Sequence, residues 1–530
     1  MREGDGGPAG GMPPHWRTFA VAGLGALALA VRIATLLSTV DTPGDGPSRA
    51  TLAYRWAHAP HLALNGTWPP GFMYLAGLFT FVLDDPAASR VLNVGLGALT
   101  VPVLFLLADR LFGPVVALVS AALLAGLPLH IGLSASSLTE PSFVLAMVAG
   151  HYLLFLGAAP AARRRAWLLG AALSCFVYAE MTRYEAWLLV VPVPAYLAWR
   201  TRDPRPTALA ALALLAFPAA WTLGNAVYRG DPFVGFRAAM SNDPAAGPQT
   251  VGLAAALGVL GVAWVAHLGL LLPLCTAWGA GAEVVRGLRA RLDAERALYL
   301  AIAALFWLVM LRFAMTRGAS LFNRYLLLGF VLCLPLAVLP AAGRRAAPSL
   351  RRAGALLAIA VVSVLLARPV LRAYPERFFT PLWVTATRPV EIERFTAWLA
   401  RSPYAGRALA ATEMGWRSTY VPLYRPPLAD RFMVVSDWLD DDMVRRFLRL
   451  HRPALLLTTE GDERHTRRIE RVLGTTIDRR RVYSDGVVEA FELPDAAPEL
   501  SGHDGPALDE AAAPNRRPAP PGRTCPRGRA

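Results

Sequence analysis

Long stretches without charge constrain this chain more than any other feature of its sequence. A membrane-spanning helix needs about 20 mostly apolar residues, and only 17% of this chain is charged, against about 25% in soluble domains. The pattern predicts a polytopic α-helical membrane protein with about 11 transmembrane helices. The predicted spans are 17–39, 91–108, 115–135, 141–159, 167–182, 186–199, 207–227, 251–279, 297–315, 324–342 and 353–371.

The formal net charge of +15 is a topology signal. Arginines concentrate in short loops between apolar runs, at 161–166, 200–205, 286–296 and 343–352, as in the cytoplasmic loops of membrane proteins. This distribution argues against nucleic acid as a partner and predicts a cytoplasmic N-terminus. Lysine is absent while Ala, Arg, Gly and Pro dominate, which is typical of high-GC bacteria and predicts a location in the bacterial inner membrane.

The chain divides by composition into four predicted parts. From about residue 385, short β-like runs alternate with amphipathic helical segments, which predicts a small α/β domain on the extracytoplasmic side. The four parts are a cytoplasmic tail (1–16), a transmembrane domain (17–372) whose first outer loop (40–90) carries interfacial helices at 47–60 and 68–83, the α/β domain (373–494), and a Pro-, Ala-, Gly- and Arg-rich tail (495–530) expected to be disordered.

Two aspartates follow the first predicted span. Asp41 and Asp45 stand among glycines and prolines, directly before the helix that is predicted to begin near Ser48. Asp45 therefore suits two roles, a carboxylate presented to a ligand or a helix cap, because Asp-Gly-Pro is also an ordinary turn and capping sequence.

Glu140 and His130 lie near the same predicted outer face. Glu140, followed by Pro141, stands at the outer start of the fourth span. A carboxylate at a helix N-terminus is favoured by the helix dipole, so Glu140 is interpreted either as a dipole partner or as a catalytic group. His130 is open to a similar pair of interpretations, as an interfacial residue or a ligand contact.

The segment "EMTRYEAW", residues 180–187, interrupts an apolar stretch with three charges. Charged side chains at that depth are costly and usually face a cavity or a partner. Arg183 could pair with Glu180 or Glu185, or it could bind a lipid phosphate, since arginine grips phosphate oxygens in a bidentate manner.

A second outer arginine group occurs in "MTRGASLFNRYLLL", residues 315–328. Arg317 and Arg324 run against the cytoplasmic bias of the other arginines, and Tyr325 follows them. Either an anionic ligand or snorkelling of the side chains to lipid headgroups accounts for their position.

Taken in order, these motifs resemble a known family. The order is Asp45, the entry Trp68-Pro69-Pro70, then "ASRVLNVGLGALTVPVLFLLADRLFG" (88–113), "LPLHIGLSASSLTEPSF" (127–143) and "TRYEAW" (182–187). It resembles the family 39-type membrane glycosyltransferases, relatives of protein mannosyltransferases and of the lipid A aminoarabinose transferase, which have the C-type glycosyltransferase fold. The resemblance is good over about 17–200 and weaker at 317–342.

The resemblance implies transfer of a sugar from a polyprenyl-phosphate donor to a protein, glycolipid or wall-polymer acceptor, with membrane lipids around it. It assigns Asp45 as general base by an inverting route; the family's following Glu is Gly46 here, so Asp41 or Glu140 would supply the second carboxylate. The family's lysine before the two prolines is Trp68 here. The substrate-binding set expected from these motifs is Arg183, Tyr184, Glu185, Arg317, Arg324, Tyr325, Trp68 and His130.

Two points remain open on the sequence. A divalent cation is possible, because some relatives of this fold use one and others do not. A polytopic transporter or lipid flippase is the alternative function; such proteins are often built from internal repeats, and the sequence shows none.

Overall fold

The structure, a computed structural model, describes most of the helical region and much of the C-terminal domain. The described residues are 14–39, 45–159, 164–240, 250–289, 293–317, 323–342, 354, 357–358, 361–362, 390–412, 432–435, 441–459, 463–474, 476–477, 480–486 and 488–493.

Helices make up the described part of the chain before residue 343. The α-helices are α1 (Pro14–Ser38), α2 (Asp45–His58), α3 (Gly71–Leu83), α4 (Ala88–Phe112), α5 (Pro114–Gly126), α6 (Pro128–Ser134), α7 (Glu140–Ala158), α8 (Arg165–Glu180), α9 (Pro192–Thr201), α10 (Pro204–Arg229), α11 (Val234–Met240), α12 (Leu253–Leu268), α13 (Leu271–Arg289), α14 (Ala294–Arg317) and α15 (Leu327–Ala342). Two 3₁₀ helices, η1 (Tyr184–Val190) and η2 (Asn323–Leu326), precede α9 and α15.

Within the described residues, six helices are long and apolar enough to cross a membrane, and the number is eight if each of two bent helix pairs is one span. The prediction of a polytopic helical membrane protein is confirmed, whereas the count of about 11 is not. The predicted span 353–371 lies almost wholly outside the described residues.

Several predicted spans are interrupted. α5 and α6 are bent by 58° and together occupy the predicted span 115–135. α12 and α13 are bent by 108°, where Gly269 has a φ of 76°. Glycine takes this backbone conformation at little cost, so the apolar run 251–279 does not form one straight helix. The short predicted span 186–199 is η1 followed by α9.

α4 lies at the centre of the helical domain, packed against α1, α5 and α7. Its buried side chains include Val101, Leu104 and Phe105. α7 and α8 also lie close together at Gly150. A Cβ atom at that position would come within 2.5 Å of the Phe176 ring. Small residues allow such close helix contacts in membrane proteins.

The C-terminal domain is an α/β unit, as its alternating runs predict. α16 (Val390–Arg401), α17 (Asp441–His451) and α18 (Glu463–Leu473) accompany a five-stranded sheet in the order β2-β1-β3-β5-β4. The strands are β1 (Leu409–Thr412), β2 (Phe432–Val435), β3 (Leu455–Thr459), β4 (Arg481–Ser484) and β5 (Val488–Glu492), of which β2, β1 and β3 are parallel and β5 and β4 antiparallel.

Side chains of β3 alternate between the two faces of this sheet, as the two-residue strand period requires. Leu455 and Leu457 pack with α16 on one face, whereas Leu456 packs with α17 and α18 on the other. His451, at the end of α17, interacts with Arg55 of α2. The α/β domain therefore lies within electrostatic range of the helix that begins at Asp45.

Candidate functional site

Charged side chains gather at the end of the helical domain where α4 begins. We call this end, with Glu140, Arg183 and Arg324, the site end. Glu140 is the first residue of α7 and Arg183 lies between α8 and η1. Arg324 belongs to η2, so three separate parts of the chain meet here.

Arg183 lies between two carboxylates. Its Nη1 donates to Glu140 Oε1 at 2.6 Å, and its Nη2 donates to Glu185 Oε1 at 2.7 Å. The exposed fractions are 9% for Arg183, 2% for Glu140 and 7% for Glu185. Burial of this charge is therefore compensated on both sides of the guanidinium, and both glutamates are fixed by one arginine.

Arg324 and Tyr325 complete the cluster. Arg324 Nε lies 3.7 Å from Glu140 Oε1. The guanidinium carbons of Arg183 and Arg324 are 4.9 and 5.3 Å from the centroid of the Tyr325 ring, close enough for attraction between cation and aromatic face. Arg183 thus pairs with two carboxylates, and Arg324 lies within ion-pair distance of one of them, Glu140.

Glu140 keeps one oxygen uncommitted. Within the described residues, its Oε2 is buried and has no hydrogen-bond partner. Glu140 Oε1, by contrast, accepts from Arg183. A buried polar atom without a partner is costly, and at a candidate site it marks a position where a ligand hydroxyl or amide could donate.

The structure brings part of the expected substrate-binding set together. Arg183, Glu185, Arg324 and Tyr325 contact one another around Glu140. Of the two pairings considered for Arg183, the one with Glu185 is present, and Glu140 is a further partner. Both carboxylate oxygens of Glu180 are buried without hydrogen-bond partners among the described residues.

Tyr184 contacts the loop that precedes α3, and Trp68 belongs to that loop. Tyr184 Oη donates to Thr67 O at 2.9 Å and accepts a hydrogen bond from Trp221 Nε1 at 3.1 Å. The centroid of the Trp68 ring lies 4.3 Å from the guanidinium carbon of Arg49. These contacts fix the chain before α3, and Tyr184 contributes to the position of that loop.

His130 lies in a separate buried group. Arg32 Nη2 donates to His130 Nδ1 at 2.5 Å, and Arg32 Nε donates to Ser134 at 3.3 Å. Because arginine can only donate, His130 Nδ1 accepts and its proton is on Nε2. No described contact joins His130 to Arg183 or Arg324; it ties α6 to α1 through Arg32.

The aspartates and Arg317 are described only in part. Asp41 lies outside the described residues. Asp45 is the first residue of α2, which begins three residues earlier than the expected start at Ser48. Arg317 ends α14. The side chains of Asp45 and Arg317 are outside the description, so the roles expected for all three stay predictions.

Several residues of the site end were not singled out from the sequence. Thr139 Oγ1 lies 3.4 Å from Arg183 Nη1, and Asn93 Nδ2 donates to the carbonyls of Ser136 and Leu138, at 2.7 Å each. A signal was available, since Asn93 is an amide within a predicted span, 91–108, that is apolar apart from Asn93 and Thr100. Within the described residues, no group of three or more His, Cys, Asp or Glu is arranged to hold a metal ion.

Comparison with known proteins supports a definite class. Residues 67–221 match the family model described as dolichyl-phosphate-mannose-protein mannosyltransferase. A search of curated proteins finds no match. The matched segment includes Glu140, Arg183 and Glu185 but ends before Arg324.

Solved structures share the fold over nearly the whole chain. ArnT from Cupriavidus metallidurans bound to undecaprenyl phosphate has a TM-score of 0.56 and 15% identity, covering 93% of this chain and 100% of that one. The Archaeoglobus fulgidus oligosaccharyltransferase has a TM-score of 0.54 and 11% identity, covering 90% and 74%. The oligosaccharyltransferase AglB from Archaeoglobus fulgidus, with an inhibitory peptide and a dolichol-phosphate, has 0.54 and 12%, covering 87% and 71%.

The class that these features define is that of polytopic membrane proteins with the C-type glycosyltransferase fold. Within that class, the match over 67–221 confirms the resemblance to the family 39-type membrane glycosyltransferases that the ordered motifs predict.

Proposed function

We propose that this protein transfers a sugar from a polyprenyl-phosphate donor to an acceptor on the outer face of the bacterial cell membrane. The observation that carries the proposal is the buried cluster of Glu140, Arg183 and Arg324 in a membrane protein of the C-type glycosyltransferase fold. Support also comes from ArnT, whose structure holds undecaprenyl phosphate, and from AglB, whose structure holds a dolichol-phosphate.

The reaction needs a base and a cation. The acceptor hydroxyl oxygen attacks the anomeric carbon, the bond from that carbon to the phosphate oxygen breaks, and its electron pair leaves with the lipid phosphate. Asp45 takes the acceptor proton as general base. This single displacement inverts the anomeric centre and needs no covalent enzyme intermediate. Asp41 is a possible second carboxylate.

The arginines have two different roles in this proposal. Arg324, with Arg317, stabilises the charge that develops on the leaving phosphate. Arg183 is already hydrogen-bonded to Glu140 and Glu185, so its geometry favours holding these carboxylates in place. Glu140 then offers its free Oε2 to the acceptor, and Tyr325 lies against both guanidiniums.

The α/β domain lies on the acceptor side in this proposal. His451 lies within electrostatic range of Arg55 in α2, the helix that begins at Asp45. The place of the domain suits a role in the choice among protein, glycolipid and wall-polymer acceptors.

The test is a transfer assay with purified protein in lipid nanodiscs. The nanodiscs are incubated with a panel of radiolabelled polyprenyl-phosphate sugars. Membranes from cells that lack this protein supply the acceptor, and release of the lipid phosphate is followed. We expect turnover with at least one donor and its loss in Asp45→Asn. Asp84→Asn is the matched control, because Asp84 has a side chain that is 74% exposed, and it should retain full turnover.

Two results would contradict the proposal. Absence of turnover with every donor would favour a transporter or flippase instead. Full turnover by correctly inserted Asp45→Asn protein would remove Asp45 as the base, and the search for the base would pass to Asp41 and Glu140.

A further inference from the structure

We propose that Arg90 is a positioning residue that keeps the two carboxylate-bearing segments of the site end in register with each other. One segment is the end of α1, which leads to Asp41 and Asp45; the other is the loop that leads to Glu140. The proposal rests on the proposed function, because the groups that it positions are those assigned to glycosyl transfer.

One guanidinium bridges these two segments. Arg90 stands in the first turn of α4. Its Nε donates to Ala135 O at 2.7 Å, and its Nη2 donates to Thr39 O at 2.9 Å. The same Nη2 lies 3.3 Å from Thr39 Oγ1. Thr39 is two residues before Asp41, and Ala135 is five residues before Glu140.

The neighbours of Arg90 on α4 hold the rest of the loop. Ser89 Oγ donates to Ser137 Oγ at 2.8 Å, and the amide of Asn93 donates to the carbonyls of Ser136 and Leu138. Ser89 and Asn93 are fully buried. The loop 135–138 is therefore laid along the first turns of α4, and Arg90 extends this arrangement to α1.

Arginine suits this position for a geometric reason. Nε and Nη2 lie on one edge of a rigid planar group, so two acceptors are addressed in fixed relative directions. A lysine would keep the charge but offers one ammonium nitrogen in place of the fork. A shorter amide would reach fewer acceptors. The spacing between the carbonyls of Thr39 and Ala135 is thus set by the side chain that binds both.

Positioning of this kind acts on the chemical step. A misplacement of about 1 Å between reacting groups can lower the rate by about 10²-fold. Binding of the donor phosphate is assigned to Arg324, which approaches the cluster from η2 and makes none of the contacts just described. Loss of the Arg90 bridge should therefore lower kcat more than it raises KM for the donor.

The first test compares Arg90→Lys with Arg110→Lys. Arg110 lies near the other end of α4, where it makes a bidentate contact with Glu295, and it has no place in the proposed mechanism. We expect Arg90→Lys to lower kcat by about 10²-fold with KM for the donor within about twofold. Arg110→Lys should leave kcat unchanged. If Arg90→Lys does not fold, Arg90→Gln takes its place.

The second test measures the bridge without activity. Hydrogen–deuterium exchange is followed in peptides that cover Thr39 with the start of α2, and Ala135 to Thr139. We expect faster exchange in both peptides for Arg90→Lys and in neither for Arg110→Lys.

The outcomes separate this proposal from the proposed function. If the wild-type protein transfers no sugar, the proposed function fails and the exchange measurement still decides whether Arg90 joins the segments. Unchanged kcat and exchange in Arg90→Lys would overturn the positioning role. Equal loss of kcat in Arg90→Lys and Arg110→Lys would also overturn it, because general destabilisation would then account for both.

Discussion

Two buried glutamates each lie in the first turn of a long helix and each face an arginine. Glu295 of α14 receives Arg110 on both oxygens, with distances of 2.8 Å to Oε2 and 2.5 Å to Oε1. Glu140 of α7 receives Arg183 on Oε1, and its Oε2 has no hydrogen-bond partner in the described part of the chain. The two carboxylates lie toward opposite ends of the helical domain.

The difference indicates a structural role for Glu295 and a ligand-binding role for Glu140. Both oxygens of Glu295 are used, so the pair joins α4 to α14 and has little capacity for a further ligand. Arg183 shares its donors between Glu140 and Glu185, which leaves carboxylate capacity unfilled at the site end. A chain that needed only stability would gain nothing from a buried unpaired oxygen.

The largest expected effect comes from the site-end glutamate. Glu140→Gln keeps the shape but replaces the carboxylate with an amide, so we expect kcat of sugar transfer to fall by about 10²-fold or more, in line with loss of one positioned catalytic group. Glu295→Gln should keep a kcat close to that of the wild type. Equal activity of the two variants in the nanodisc assay would remove the distinction between them.

Stability should show the reverse order. Glu295→Gln leaves Arg110 without its carboxylate; breaking a buried pair costs about 3–5 kcal/mol, and we expect about 2–3 kcal/mol here because the Arg110 side chain is 26% exposed. Glu140→Gln should cost less, since Arg183 keeps Glu185. Thermal unfolding of both variants in the same detergent measures the order, and a larger loss in Glu140→Gln would invert the comparison.

A smaller, pH-dependent effect is expected at His451 of α17, which lies within electrostatic range of Arg55 in α2. Burial, and then the nearby Arg55 charge, lowers the pKa of His451 below its usual 6.5. The neutral ring is thus favoured in the folded state, so this contribution to stability is present above about pH 6.5 and is lost as pH falls toward the lowered pKa. Neither Glu140 nor Glu295 is part of this electrostatic interaction.

Exchange measurements on α2 and α17 can follow this electrostatic interaction. We expect protection, corrected for intrinsic exchange rates, to decrease between pH 7 and 5 in the wild type. His451→Gln cannot take up the proton, so its protection should vary less over that range. A pH dependence that persists unchanged in His451→Gln would assign the effect to other groups.

Much of the fold was predictable because helices that span a membrane need long apolar runs, which are visible in the sequence. Apolar runs predicted the positions of α1, α4, α7, α10 and α14 closely, and the alternating runs after 385 predicted the α/β domain. The bends between helices were harder to predict from the sequence. Gly269 breaks one long apolar run and Pro128 begins the second half of another, yet hydropathy alone does not distinguish a bent pair from a straight span.

The site was predictable in its members more than in its pairings. Arg183, Glu185 and Arg324 were identified because charge is costly in apolar segments. The pairing of Arg183 with Glu140 spans 43 positions and depends on how α7 packs on α8, which local sequence does not encode. The same is true of Arg90, whose acceptors are carbonyl groups: any residue type supplies a carbonyl, so no residue pattern reveals the contact.

The contact of Gly71 with Met181 has a mechanical consequence. Gly71 N donates to Met181 O at 2.5 Å, and a side chain at position 71 would come within 2.7 Å of that oxygen. The far part of α3 exposes Leu78, Phe81 and Val82, whereas Met181 is two residues before Arg183. Any displacement of α3 by the surrounding bilayer is therefore passed from backbone to backbone into the turn that carries Arg183, with no side chain between them to absorb it.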